Sequence, residues 1–123
     1  TALIWGSIQG SYDSIELLLE DKVLINQVDE VGNGALYHAA ESGHADVVEL
    51  LLTYDALINQ ENRDGRTPLM AAVRAGHAQV VQMLIAGGAD ITISDFTGRT
   101  AFDLAREGRS RQVVQILEKA GAR

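Results

Sequence analysis

The sequence predicts an all-α solenoid, a row of helix–loop–helix units stacked side by side. Three observations lead there. Sliding the 123-residue chain by 33 residues matches it to itself along its whole length. Within each period the apolar residues recur at i, i+3, i+4, a helical stripe rather than the alternation of a strand. Glycines and turn-forming residues punctuate the periods at fixed places.

The columns of the repeat define the elements in order. Leu3, Leu36, Leu69 and Phe102 share one column, and Ile15, Val48, Val81 and Val114 another. Leu18, Leu51, Leu84 and Leu117 share a third, and Ile25, Ile58 and Ile91 close the unit. The offset never slips, so no unit carries an insertion. The first helix of a unit shows its stripe at Leu36, Ala39, Ala40 and again at Leu69, Ala72, Val73. The second shows it at Val48, Leu51, Leu52 and at Val81, Leu84, Ile85. Thr67 is the expected N-cap of one first helix, with Pro68 at the favoured first helical position. Gly43 and Gly76 end first helices, where a left-handed residue without Cβ is least costly. Asn62-Arg63-Asp64-Gly65-Arg66 has turn chemistry and returns the chain to the next unit. A helix pair of this size cannot hide its apolar faces alone. The Ala residues let neighbouring units approach closely, and the Leu-rich second helix packs between them. Stability must come mainly from contacts between neighbours, and no unit should fold in isolation.

Composition removes several classes of function. The chain has no cysteine, which rules out disulfides and thiolate metal sites. No apolar run approaches the ~18 residues of a membrane helix. No basic leader followed by an apolar stretch opens the sequence, so no secretion signal is expected, although the first residue is Thr1 rather than Met. Aromatic residues make up only 5% of the chain, which leaves little for base stacking, and the net charge of −7 argues against nucleic acid as partner. That charge is polarised. Residues 1–61 hold eleven acids and a single Lys and carry −10, whereas residues 62–123 hold six acids and nine Lys and Arg and carry +3. Such a surface either serves solubility or orients a partner by long-range attraction.

Asp64-Gly65-Arg66-Thr67-Pro68-Leu69, Gly76-His77-Ala78-Gln79-Val80-Val81 and Gly88-Ala89-Asp90-Ile91 resemble the ankyrin repeat. So does Gly43-His44-Ala45-Asp46-Val47-Val48-Glu49-Leu50-Leu51-Leu52. The resemblance covers essentially the whole chain as one domain of about four repeats, approximately 1–28, 29–61, 62–94 and 95–123, the first lacking its leading hairpin arm. It implies an ankyrin-repeat solenoid with projecting β-hairpin loops and a protein-binding concave face formed by hairpin tips and first helices. The departures from the family pattern are informative. The column where the family usually places a His bonded to the Thr hydroxyl reads Ile4, Tyr37, Met70 and Asp103, so that bond is expected to be absent throughout. Gly34 and Ala35 replace Thr and Pro in the second unit, which predicts a cap weaker by roughly 1 kcal/mol. In the last unit Arg109 fills the Gly column beside Gly108, and Arg106 and Glu118 replace apolar residues, as suits a C-terminal cap over residues 95–123. Gly6 and Ser7 replace Ala in the first unit, which is either an N-terminal cap or a cut end of a longer array, with Trp5 available to cover it.

The motifs with chemical content read as structure. Gly32-Asn33-Gly34 begins like a nucleotide loop but lacks the third Gly and sits in a hairpin column. Ser42, His44 and Asp46 are triad residue types crowded into one turn, where no relay or nucleophile elbow is possible. His44 and His77 are expected to bond backbone carbonyls rather than a metal, which needs three or four converging ligands. Asn26 and Asn59 resemble hydroxylated asparagines of other ankyrin proteins, but Leu24 and Leu57 stand where the usual acid would be. No catalytic residue, cofactor or metal site is assigned.

What remains is a recognition surface. By the resemblance, the hairpin tips Glu30, Val31, Asn33, Arg63, Asp64, Arg66, Phe96, Thr97 and Arg99 face the groove. The first-helix ends Ile8, Gln9, Glu41, Ser42, Arg74, Ala75 and Glu107 join them, with Trp5 and His38 on the inner helix face. Arg63, Arg66, Arg74 and Arg99 gather on units three and four, and Arg suits forked contacts to carboxylates. The alternative is that Arg63, Asp64 and Arg66 pair among themselves and with nearby acids. Trp5 and Phe96 are of the type enriched in binding hot spots. The expectation is a non-catalytic, monomeric, intracellular protein-interaction module, cytoplasmic or nuclear, binding an elongated partner whose acidic residues face units three and four. A regulatory, inhibitory or targeting segment of a larger enzyme or scaffold is the alternative, a spacer in a long array is a third reading, and a bacterial exported protein stays open.

Overall fold

The computed structural model describes residues 1–20, 24–108 and 110–122. Among them eight helices follow one another in pairs: α1 (Ala2–Gln9) and α2 (Tyr12–Glu20), α3 (Ala35–Ser42) and α4 (Ala45–Thr53), α5 (Pro68–Ala75) and α6 (Ala78–Ala86), α7 (Ala101–Glu107) and α8 (Arg111–Lys119). Corresponding helices start 33 residues apart throughout. Each first helix packs on the next first helix, and each second helix on the next second helix. The loops between pairs carry isolated antiparallel bridges, Val28 with Gly34 and Ser94 with Thr100. None of the described helices is long and apolar enough to cross a membrane.

Packing follows the columns. Ala39, Ala40, Ala72 and Ala105 are buried along the first helices, and Ile15, Val48, Val81, Leu51, Leu84 and Leu117 have no exposed surface. One core runs through all four pairs. Its ends differ. At the last pair Arg106 is exposed where Ser7, Ala40 and Val73 are buried, and Glu118 is exposed where Leu19 is buried. The Arg106 guanidinium lies 5.9 Å from the Phe102 ring centroid, so its charge reaches water while the ring is screened. Both polar residues stand in solvent on the last described pair; Arg109, the third departure, lies outside the described residues. At the other end Leu17 is 66% exposed where its counterpart Leu50 is buried. Trp5 is 65% exposed, so it covers little of that end. Ser7, fully buried, donates its hydroxyl to the Leu3 carbonyl at 2.8 Å.

The helix caps follow the sequence with one correction. The Thr67 hydroxyl accepts from Met70 N at 3.3 Å with Pro68 beside it, and Gly43 and Gly76 adopt the left-handed conformation at φ 78°. Gly34 offers no side-chain bond to α3. The bond expected to be absent throughout does form in the last pair. Thr100 Oγ1 donates to Asp103 Oδ2 at 3.2 Å, Thr100 N donates to the same oxygen at 3.0 Å, and Asp103 N donates to Thr100 Oγ1 at 3.3 Å. Asp103 is short enough to fold back on the cap from the third helical position, which completes a capping box that Ile4, Tyr37 and Met70 cannot make.

Thr100→Ala is expected to lower unfolding stability by about 1 kcal/mol in urea titration. An unchanged midpoint would show that the box contributes nothing. Gly34→Thr should gain less than a full cap, because its Cβ would stand 2.7 Å from Gln60 Oε1 and that side chain must move first.

Candidate interaction surface

The loops that project from the helix pairs are built around one column, Asp29, Asn62 and Asp95. In each loop the backbone N–H of this residue donates to the carbonyl four residues on, Asn33, Arg66 or Arg99, at 2.8–2.9 Å. Its Oδ1 accepts the amides two and four residues ahead: Val31 and Asn33, Asp64 and Arg66, Thr97 and Arg99. One carbonyl or carboxylate oxygen thus closes each hairpin from within.

The second polar atom of the same side chain ties the hairpin to its surroundings. Asn62 Nδ2 donates to Asn33 Oδ1 at 2.8 Å, and Arg66 Nε donates to Asp95 Oδ2 at 3.5 Å, each joining one unit to the next. Asp29 Oδ2 accepts from His38 Nε2 of its own unit at 2.7 Å. Backbone bonds repeat the pattern: Arg63 N donates to the Val31 carbonyl and Phe96 N to the Asp64 carbonyl. The column 29/62/95 was legible in the sequence as a recurring Asx residue, but only the turn chemistry of Asn62 was read from it.

These contacts set the electrostatics. Burial works against ionisation of Asp95, whose side chain is 1% exposed. The Thr97 hydroxyl, the Arg99 and Thr97 amides and the Arg66 guanidinium overcome it and hold the carboxyl at about 2. Asp29 is likewise lowered; burial opposes, while His38 and the Asn33 and Val31 amides prevail. The Tyr37 phenol is raised, by burial first and then by Glu41, with Arg66 and Arg74 acting in the opposite direction. Charged side chains of both signs therefore act on Tyr37, which the sequence reading missed, treating it only as a lost His.

The twelve residues chosen from the sequence fall into two groups. Trp5, Glu30, Val31, Glu41, Arg63, Asp64, Arg74, Phe96 and Arg99 are exposed. Asn33, His38 and Arg66 are partly buried and engaged with neighbours. Of the four arginines, Arg66 pairs with Asp95, and Arg99 lies 3.3 Å from Glu107 across an exposed gap. Phe96 is 75% exposed, yet the inner edge of its ring rests on Gly65, where a Cβ would stand 2.7 Å from it.

The histidines between paired helices act as braces. His44 Nε2 donates to the Ile8 carbonyl and His77 Nε2 to the Glu41 carbonyl, both at 3.0 Å. Each ring lies over the left-handed glycine of the preceding pair, 2.7 Å from where a Cβ on Gly10 or Gly43 would stand, so those positions admit glycine on two counts. Asp46 Oδ1 accepts from Val47 N rather than facing His44. Asn26 and Asn59 accept from Leu57 N and Asp90 N at 2.9 Å and tie successive loops together.

A family model for ankyrin repeats in three copies matches residues 3–95 and 55–123. The chain belongs to the ankyrin repeat family, whose members are generally non-catalytic protein–protein interaction modules. No curated protein matches the chain.

Because the folded Asp95 carboxyl titrates below its unfolded value of 3.8, the stability it confers is present above that value and is lost as pH falls towards 2. Asp95→Asn should cost about 1–2 kcal/mol at neutral pH and flatten the acid limb of a stability–pH curve. Parallel curves for the two proteins would refute this assignment.

Proposed function

We propose that this chain is a non-catalytic, monomeric intracellular module that holds another protein along the face formed by its hairpin tips and first helices. We take its units to run approximately 1–28, 29–61, 62–94 and 95–123. The observation that carries the reading is the combination of rigid hairpins with tips that vary from unit to unit. Each tip is closed by its own Asx residue and bonded to its neighbour, so little ordering entropy is lost on association. The side chains displayed change from Glu30 and Val31 through Arg63 and Asp64 to Phe96 and Arg99, while the packing columns repeat.

Charge supports an elongated partner with acidic residues against units three and four and basic or neutral ones near Glu30 and Glu41. Long-range attraction then fixes its direction along the groove. Arg63 and Arg74 are exposed and better placed than Arg66, whose guanidinium is committed to Asp95, to take carboxylates from outside. Phe96, braced against Gly65, offers a large apolar anchor beside them. The reading gives no role to nucleic acid or membrane.

Peptides selected from a random display library against the whole chain should be enriched in Asp and Glu. Arg63→Glu with Arg74→Glu should weaken them about tenfold and flatten the salt dependence of binding. Selected peptides without acidic enrichment, or affinity indifferent to both changes, would remove the placement.

A further inference from the structure

We propose that Asn33 is a covalent modification site, deamidated by the peptide nitrogen of Gly34 at a rate that the hairpin ties set. Of the four asparagines, Asn26, Asn33, Asn59 and Asn62, only Asn33 precedes a glycine. Glycine carries no Cβ, so its nitrogen reaches the carbon of a preceding side-chain amide with the least hindrance. Gly34 N bonds to Asn33 Cγ, the Cγ–Nδ2 bond breaks, and the proton of Gly34 N leaves with Nδ2 as ammonia. Water then opens the cyclic imide at one of its two carbonyls. Attack at Cγ leaves aspartate. Attack at the former backbone carbonyl leaves isoaspartate, whose chain runs on through Cγ. Water is the only co-reactant. The other two hairpins carry Arg66 and Arg99 at this place, so the reaction belongs to the second unit alone.

The structure shows what holds the reaction back. Asn62 Nδ2 donates to Asn33 Oδ1 at 2.8 Å, which keeps the reacting amide turned towards the next hairpin. Asn33 N donates to Asp29 Oδ1, and Asp29 N donates to the Asn33 carbonyl, both at 2.9 Å. Gly34 is buried, stands at the N-cap of α3 and pairs with Val28 across the loop. Ring closure swings the Asn33 side chain and the Gly34 nitrogen together, so the tie to Asn62 and the closure by Asp29 must let go first. The two products differ in what they restore. Aspartate keeps an acceptor for Asn62 and the backbone bonds to Asp29. In isoaspartate the carbonyl that took the Asp29 N–H has become a free carboxylate, and the hairpin is one carbon longer. Either product adds a negative charge beside Glu30, in the half of the chain that already holds eleven acids.

Asn62→Asp isolates the tie. Asp29 and Asp95 close their own hairpins with a carboxylate in the same column, so the third hairpin keeps its closure while the N–H to Asn33 is lost. The whole chain is incubated in mildly alkaline buffer, folded and in guanidinium chloride, and each asparagine is followed by peptide mapping. Mass gain reports deamidation, and electron-driven fragmentation separates isoaspartate from aspartate. The folded wild type should convert at Asn33, several-fold more slowly than the unfolded chain, and leave Asn26, Asn59 and Asn62 intact. Asn62→Asp should speed the folded reaction about fivefold, the weight of one hydrogen bond in the opening equilibrium, and leave the unfolded rate unchanged. An Asn33 that stays intact in the folded chain, equal rates in the two states, a folded Asn62→Asp no faster than wild type, or a gain that persists in denaturant overturns the proposal. The folded and unfolded wild type decide it even where the variant fails to fold.

Discussion

The close approach of successive first helices is the constraint on which the molecule depends. Ala39, Ala72 and Ala105 share one column and are buried there, small side chains that let the helices come close. The approach brings each interhelix loop against the next, close enough for a histidine ring to sit on a glycine without a Cβ. It also brings hairpin against hairpin, so that Asn33 meets Asn62 and Arg66 meets Asp95. Relax the spacing and the braces, the hairpin ties and the continuous wall of tips are lost together. Stability and display surface are therefore one property of a stack built from nearest-neighbour contacts.

The regular part of this arrangement was legible because it is written many times over. Helix placement, the glycine terminators, the Thr67 cap and the histidine–carbonyl bonds each follow from columns that agree at one spacing. What escaped is what a single column cannot express. The double use of Asp29, Asn62 and Asp95, one atom for its own hairpin and the other for its surroundings, needs two units in view at once. The Thr100–Asp103 box went unseen because Asp103 was measured against the family's usual His rather than read as an acid three residues after a Thr. For the surface, sequence indicated which side chains are displayed but not which are spoken for. Sequence left Arg66 open between an outside contact and pairing with nearby acids; Asp95 engages it, and Asp29 engages His38.

The charge pattern acquires a physical meaning from the stack. In a compact globule, halves of opposite sign would be folded together and partly cancel. Here sequence order is preserved in space, so the acidic first half and the basic second half lie at opposite ends of a row. A partner approaching from solution meets a field with direction as well as sign, screened within about 8–10 Å at physiological salt.

The sole tryptophan, Trp5, stands two-thirds in solvent on α1. Its indole is wet before and after denaturation, so intrinsic fluorescence is a poor gauge of melting for this chain. Whatever signal it gives speaks for α1 and its neighbours alone, and fraying at α8 would pass without optical trace. Circular dichroism at helical wavelengths, which weighs the eight described helices alike, is the spectroscopy matched to such a lopsided reporter.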